Sequence, residues 1–439
     1  MRWQWTDTDR EITRLAVPAL GALIAEPLYV LADTAVVGHL GTPQLGGLAL
    51  ASQVLLTFHA VMIFLAYGTT AAVSRLLGAG RRADAAHEAV QSLWLALATG
   101  IAGALLIYPL ADPLLRLLGG EGETLGYART YLLVSLPGLP AMLLSLAAVG
   151  YLRGLQDTLR PFIVAAVTAT GNFVLEVILI YGFDQGIGAS ALSTVVFQWI
   201  GAAMYLGWVA QAVRSHGVGL APSFEGVRRQ AAVAGDLFIR TAALRGSFTV
   251  ATAVAARLGQ TELAAHEIAF QIWTLVALAL DAVAIAGQAM IGRFLGADDA
   301  PGARRVATRM LQWGFTTGAV AGLMIIVLRP WIPDIFSGDP AVVALTGFLL
   351  IHLAAMAPLN GVVFALDGIL IGAGDMRFLA WAMLAAGLVF VPLAIAVGVV
   401  GAGIGWLWGA IWALMAVRLV SLLWRFRGER WLVTGFEVV

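Results

Sequence analysis

Two carboxylates, Asp33 and Glu176, stand in stretches of this 439-residue chain that are otherwise almost wholly apolar. Asn172 precedes Glu176 by four positions and so shares its helical face one turn away. Joined by Thr194 and Gln53, these side chains offer acids for proton exchange and the hard oxygen atoms that an alkali cation coordinates. Two carboxyls in one poorly hydrated site cannot both ionise cheaply, which suits such a pair to taking up and releasing a proton. Hydrogen bonding between packed helices is the alternative use of the same groups.

The elements that must position them are membrane helices. The chain is 60% hydrophobic and only 12% charged, with 50 glycines, outside the range of soluble globular domains. Crossing a hydrocarbon core takes about 20 residues of helix. Twelve such stretches are expected, near residues 12–38, 46–77, 86–117, 125–152, 161–183, 187–213, 231–257, 262–295, 304–331, 341–371, 377–398 and 401–425. Barrel-type alternation is absent, so each span is expected to be helical. With both termini cytoplasmic, about 21 of the 26 basic residues, all arginine, fall on the inner side, and this positive-inside bias sets the orientation. Arg81, Arg82, Arg228, Arg229, Arg304, Arg305 and Arg425 are among them. No cleaved leader is expected, because the polar N-terminal residues precede a span too long for a signal-peptide core.

In that orientation Asp33 and Glu176 both lie roughly 9–12 Å below the outer loops, at 1.5 Å per residue. Thr194 in the sixth span and Gln53 in the second reach a similar level. Five polar groups from four spans are thus expected to converge.

The chain also repeats at an offset of 218 positions. Leu40, Gly41 and Gln53 recur as Leu258, Gly259 and Gln271; Arg75, Leu77 and Gly78 as Arg293, Leu295 and Gly296; Gly150, Gly154 and Asp157 as Gly368, Gly372 and Asp375. Two copies of one six-span unit follow. An even number of spans per copy makes them parallel repeats. The expected division is an N-lobe at 1–213, a cytoplasmic linker at 214–230 and a C-lobe at 231–439. The acids break the repeat, for Asp33 maps onto Ala251 and Glu176 onto Ala394.

Ionisable groups inside spans are functional candidates by default. Glu26 lies mid-way along the first span, and Arg245 and Asp281 lie in the seventh and eighth; each is a candidate to line a cavity, with an Arg245 salt bridge to Asp281 or Glu26 as the structural alternative. Glu267 and Asp367 are expected near the membrane surfaces, and Asp157 and Asp375 as caps of the helices that follow them. Tyr29, Phe58, Met62, Met204, Phe248 and Met290 suit either a permissive cavity wall or ordinary packing. Pro18 removes one backbone bond from the first span and makes a candidate hinge. Cysteine is absent, His266-Glu267 has no histidine four positions after His266, and no phosphate-cradling Gly-Lys-Ser/Thr loop occurs. No cofactor and no enzymatic activity are expected, so active transport would run on an ion gradient.

Three segments, Asp33-Thr-Ala-Val-Val-Gly-His-Leu-Gly with Pro18 before it, Gly150-Tyr-Leu-Arg-Gly-Leu-Gln-Asp-Thr, and Leu366-Asp-Gly-Ile-Leu-Ile-Gly-Ala-Gly-Asp, resemble the multidrug and toxic compound extrusion (MATE) transporters, and within them the DinF-like branch. The resemblance covers essentially the whole chain. It implies an all-α polytopic fold of two six-helix bundles in a V, alternating access, and export of small lipophilic or cationic compounds across the inner membrane in exchange for H+ or Na+. It further implies ion coupling at Asp33, Asn172, Glu176 and Thr194, which occupy the places of an aspartate, an asparagine and acid four apart, and a threonine in archaeal and DinF-like members. Glu176 departs from the aspartate common among relatives by one methylene. A monomer in contact with membrane lipids is expected, with no nucleic-acid partner. A lipid-linked precursor flippase of the same superfold, or a membrane protein without transport, is the competing reading.

Overall fold

Backbone amides find no water in a hydrocarbon phase, so a chain this apolar must close its hydrogen bonds within helices. The computed structural model describes residues 5–435 except the side chains of residues 229 and 234; Arg229 of the arginine count thus lies outside the described side chains. The helices are α1 (Asp7–Gly38), α2 (Thr42–Met62), α3 (Phe64–Gly78), α4 (Arg82–Leu117), α5 (Gly122–Ser135), α6 (Leu139–Gly154), α7 (Leu159–Val177), α8 (Ile187–His216), α9 (Phe224–Leu258), α10 (Gln260–Gly296), α11 (Ala300–Leu328), the short α12 (Ile332–Phe336), α13 (Pro340–Gly372), α14 (Met376–Val400) and α15 (Ile404–Arg427). Among the described residues, 11 helical segments are long and apolar enough to cross a membrane. Two of them each join two α-helices, α2 with α3 and α5 with α6, the latter pair linked by a 3₁₀ turn at Leu136–Gly138. The long helix α9 falls at the seventh expected span and is interrupted by Arg228, Asp236, Arg240, Arg245 and Arg257. The protein is an all-α, multi-pass membrane protein.

The repeat is visible as geometry. Gly80 and Asp298, one repeat apart, both take positive φ (73° and 62°) just after a helix end, and so do Gln156 and Gly374 (62° and 78°). In each case the next amide reaches back to a carbonyl of the last turn: Arg81 to Leu76, Asp299 to Phe294, Asp157 to Leu152 and Asp375 to Leu370. The same holds where helices touch. A Cβ on Gly150 would lie 2.5 Å from the Ala66 carbonyl oxygen, and one on Gly154 2.7 Å from Val73, so α6 lies almost against the backbone of α3. One repeat later Gly368 and Gly372 hold α13 against Ala284 and Gln288 of α10. Small residues at such spacing are what membrane helices use to approach closely.

Contacts divide the chain into an N-terminal unit, Gly21–Ala234, and a C-terminal unit that joins the chain from Gly235 onward to the segment ending at Leu20. The first half of α1 therefore packs with the C-terminal unit. Asp9, fully buried, takes hydrogen bonds from Arg309 Nε and Nη2 (2.6 and 2.7 Å), from Trp313 Nε1 (2.7 Å) and from the Thr6 amide (2.7 Å). Glu11 pairs with Arg293 (2.8 Å), and Ile12, Leu15 and Ala19 are buried beside them. Correspondingly, the segment leading into α9 is fixed to α4 of the N-terminal unit. Gln91 accepts from the Ser223 amide (2.8 Å), Trp94 donates to the Leu220 carbonyl (2.8 Å), and Gln230 donates to Glu88. Helix α1 runs unbroken through Pro18 and changes units two residues later.

One expectation about a single acid is corrected. Asp157 does cap, accepting from the Arg160 amide at 3.0 Å, but the Asp375 carboxylate is held by Arg425 (2.5 and 3.0 Å). Asp367 lies in the interior of the C-terminal unit, its Oδ2 shared by Arg240 (2.7 Å) and Arg418 (2.5 Å) on α9 and α15. Leaving two buried guanidiniums without it is expensive. Asp367→Asn is expected to lower stability by about 3–5 kcal/mol, read as a fall in the melting temperature of the detergent-solubilised protein. Gly150→Val, which forces α6 from α3, should lower it by about 1–3 kcal/mol in the same measurement.

Candidate functional site

The C-terminal half of α1 belongs to the N-terminal unit, where it meets α5, α7 and α8. Asp33, on this half, is 4% exposed. Ser190 of α8 donates to its Oδ1 (2.6 Å) and Tyr131 of α5 to its Oδ2 (3.3 Å). One turn earlier on α1, Tyr29 shares a 2.6 Å hydrogen bond with Thr194, whose hydroxyl also reaches the Ser190 carbonyl (3.2 Å). Asn172 and Glu176 come from α7, one turn apart and both buried. Directly after them the helix widens into a π-helical turn, Ile178–Gly182, a local irregularity that often marks functional positions.

The electrostatics of this cluster are unusual. The Glu176 carboxyl faces that of Asp33 and the Ser190 hydroxyl. Two carboxyls make a hydrogen bond only when one of them carries a proton. With neither protonated, both oxygens of Glu176 and both polar atoms of the Asn172 amide are buried without a partner among the described residues. Buried polar atoms are nearly always satisfied, so these four atoms on one helix face mark the cluster as a candidate site for a proton or a cation. A proton shared by the carboxyls satisfies Glu176. The donor set, two carboxylates, an amide oxygen and a hydroxyl, also suits Na+ chemically, and Na+ would be cargo here.

Four of the five polar groups expected to converge do so. Gln53 does not; it is exposed on α2 and bonds its own helix, donating to Thr57 (3.4 Å). Ser190 and Tyr131 stand with the acids in its stead, and neither was singled out from the sequence. Ser190 had a usable signal, four positions before Thr194 and on its face; Tyr131 had none, since level alone does not choose it from the other tyrosines. Among the remaining candidates, Glu26 faces His59 of α2 at 4.0 Å. Arg245 is exposed and, among the described residues, makes no ion pair with Asp281, which lies in the electrostatic neighbourhood of Arg418. Phe58 packs its ring over Gly103, Phe248 stacks edge-on with Phe270 and Trp273, and Met290 is fully buried, which is ordinary packing.

A model of the MatE family matches residues 18–181 and again residues 237–396, one match in each half of the repeat. The chain belongs to the MatE family. As a member of this transporter family it is 32% identical to Protein DETOXIFICATION 44, chloroplastic, of Arabidopsis thaliana, over 94% of this chain and 81% of that one. It is 31% identical to the DNA damage-inducible protein F of Escherichia coli, over 97% of this chain and 94% of that one. A MOP superfamily transporter from Pyrococcus furiosus has the same fold, with a TM-score of 0.86 at 23% identity and 96% of each chain covered. Two copies of the matched unit thus make up this chain. The copies differ where the carboxyls stand.

Hydrogen bonds to a charged group contribute about 1.5–3 kcal/mol. Ser190→Ala, which strips one from Asp33, should therefore slow transport in proteoliposomes about tenfold or more, while melting within a few degrees of the native protein.

Proposed function

We propose that this MatE transporter is a secondary active antiporter that exports lipophilic or cationic small molecules in exchange for H+, with Na+ as the alternative coupling ion. The observation that carries this reading is the buried Asp33–Glu176 pair, together with the unpartnered polar atoms of Asn172 and Glu176. In the loaded form one proton lies between the carboxyls, and Ser190 and Tyr131 hold the remaining Asp33 lone pairs. Its departure leaves two like charges facing each other in a water-poor site. That repulsion is relieved only by separating α1 from α7 or by admitting another cation. Ion occupancy thereby biases the arrangement of α1, as coupling requires. Pro18, at the point where α1 passes from one unit to the other, is the proposed hinge.

Export of drugs is supported by relatives named as probable multidrug resistance proteins NorM, among them one from Thermotoga maritima at 24% identity over 80% of this chain. The proposed setting is the inner (cell) membrane with both termini cytoplasmic and a monomeric protein. Arginines clustered at one set of helix ends, including Arg82, Arg153, Arg214, Arg304 and Arg427, support that orientation. A flippase for anionic lipid-linked precursors would draw on cavity arginines. Arg240 and Arg418 are committed to Asp367, which leaves Arg245 and gives that reading less support.

The decisive measurement is dye transport in proteoliposomes under an imposed proton or sodium gradient. Native protein should respond to one of the two, and Asp33→Asn and Glu176→Gln should lose that response while still binding dye. Equal transport with and without either gradient would overturn the antiporter assignment.

A further inference from the structure

Glu26, Tyr29 and Asp33 fall at i, i+3 and i+7 on α1 and so form one polar face of that helix. The two upper members belong to the carboxyl site. Glu26, two turns or roughly 10 Å below Asp33 at 1.5 Å per residue, does not. Its Oε1 lies 4.0 Å from His59 Nε2, with the side chains 51% and 23% exposed.

An imidazole and a carboxylate half-way through a membrane need a reason, since ionisable groups there are costly. The surrounding helices of the N-terminal unit supply no other charge at this depth. Helix α2 has His59 as its sole ionisable side chain, α4 has none between Glu88 and Tyr108, and α5 and α6 have none between Tyr131 and Tyr151. Helix α8 has none before Tyr205, α3 offers Tyr67 and Arg75, and α7 offers Glu176 near one end and Arg160 near the other. Besides the Asp33–Glu176 site, Glu26 with His59 is thus the one acid–base pair at mid-span among the described residues of this unit. Histidine is the side chain whose ordinary titration range spans physiological pH.

We propose that Glu26 and His59 form a proton relay that loads and unloads the Asp33–Glu176 site, an inference that rests on the proton-coupled reading above. Imidazolium His59 passes its Nε2 proton to the Glu26 carboxylate, becoming neutral as Glu26 becomes neutral. The proton then moves up the α1 face, through water and the Tyr29 hydroxyl, to the Asp33 carboxylate. Unloading runs in reverse, and no other bond is made or broken.

The test is proton-driven dye transport by His59→Gln and Glu26→Gln in proteoliposomes across a range of pH, with and without added imidazole. Positioned proton donors typically contribute tenfold or more to a rate. His59→Gln should therefore lower the maximal rate about tenfold, leave the dye concentration for half-maximal rate unchanged, flatten the pH profile and recover on adding imidazole. Glu26→Gln should fall likewise, with Glu26→Asp restoring most of the rate. A native rate and pH profile in His59→Gln, or a loss that imidazole does not restore, would overturn the relay. Asp33→Asn in the same vesicles separates the two ideas. If it too kept the native rate, the carboxyl site itself would be removed, and the relay with it.

Discussion

Lipid gives a helix no hydrophobic reason to leave it, so each unit depends on how closely its helix backbones can approach. The approach is closest where a glycine faces a backbone: Gly150 and Gly154 against α3, Gly368 and Gly372 against α10, and Gly100 and Gly318 against the segments at Pro140 and Pro358. Close packing of this kind leaves little room for water, so polar groups inside must find partners on neighbouring helices. Thr70 donates to the Gly150 carbonyl as well as to its own helix, and Asp367 takes two arginines. Within the N-terminal unit, Glu176 and Asn172 put four buried atoms without a partner on one helix face, where Gln44, Thr158 and Gln198 each leave a single one.

Much of this was legible because the constraints are local and repeated. Span length follows from membrane thickness, and the repeated glycine pairs set interhelical distance, whereas Gly80 with Asp298 and Gln156 with Gly374 keep a positive φ at helix ends through a change of residue. Asp33, Asn172, Glu176 and Thr194 were legible because a polar residue in an apolar span is rare, and helix rise fixes its depth.

Depth, however, does not fix direction. Gln53 lies at the right level and turns away to Thr57, whereas Tyr131 and Ser190, unremarkable in sequence, turn inward to Asp33. The facing side of a helix depends on rotation set by packing partners, and an Ala/Leu-rich span with a weak polar face leaves that rotation undetermined. Ion pairs escape the sequence for a related reason. Asp375 is reached by Arg425 fifty positions away, and Glu26 by His59 on the next helix, pairings that depend on which helices are neighbours.

The two units also show why one fold can carry the chemistry once and omit it once. The positions one repeat beyond Asp33, Asn172, Glu176 and Ser190 are Ala251, Phe390, Ala394 and Trp408, and all four are fully buried. The C-terminal copy has therefore not opened these positions to solvent. It has alanines in place of the two acids and fills the place with a phenyl ring and an indole, the indole of Trp408 making aromatic contacts with Trp273 and His266. Apolar volume at these positions stabilises the copy and leaves only the Trp408 indole N–H to satisfy, whereas the N-terminal copy keeps four polar side chains that packing alone leaves partly unmet. Under the proposed ion coupling, binding there offsets the cost of that arrangement in the one lobe that keeps it.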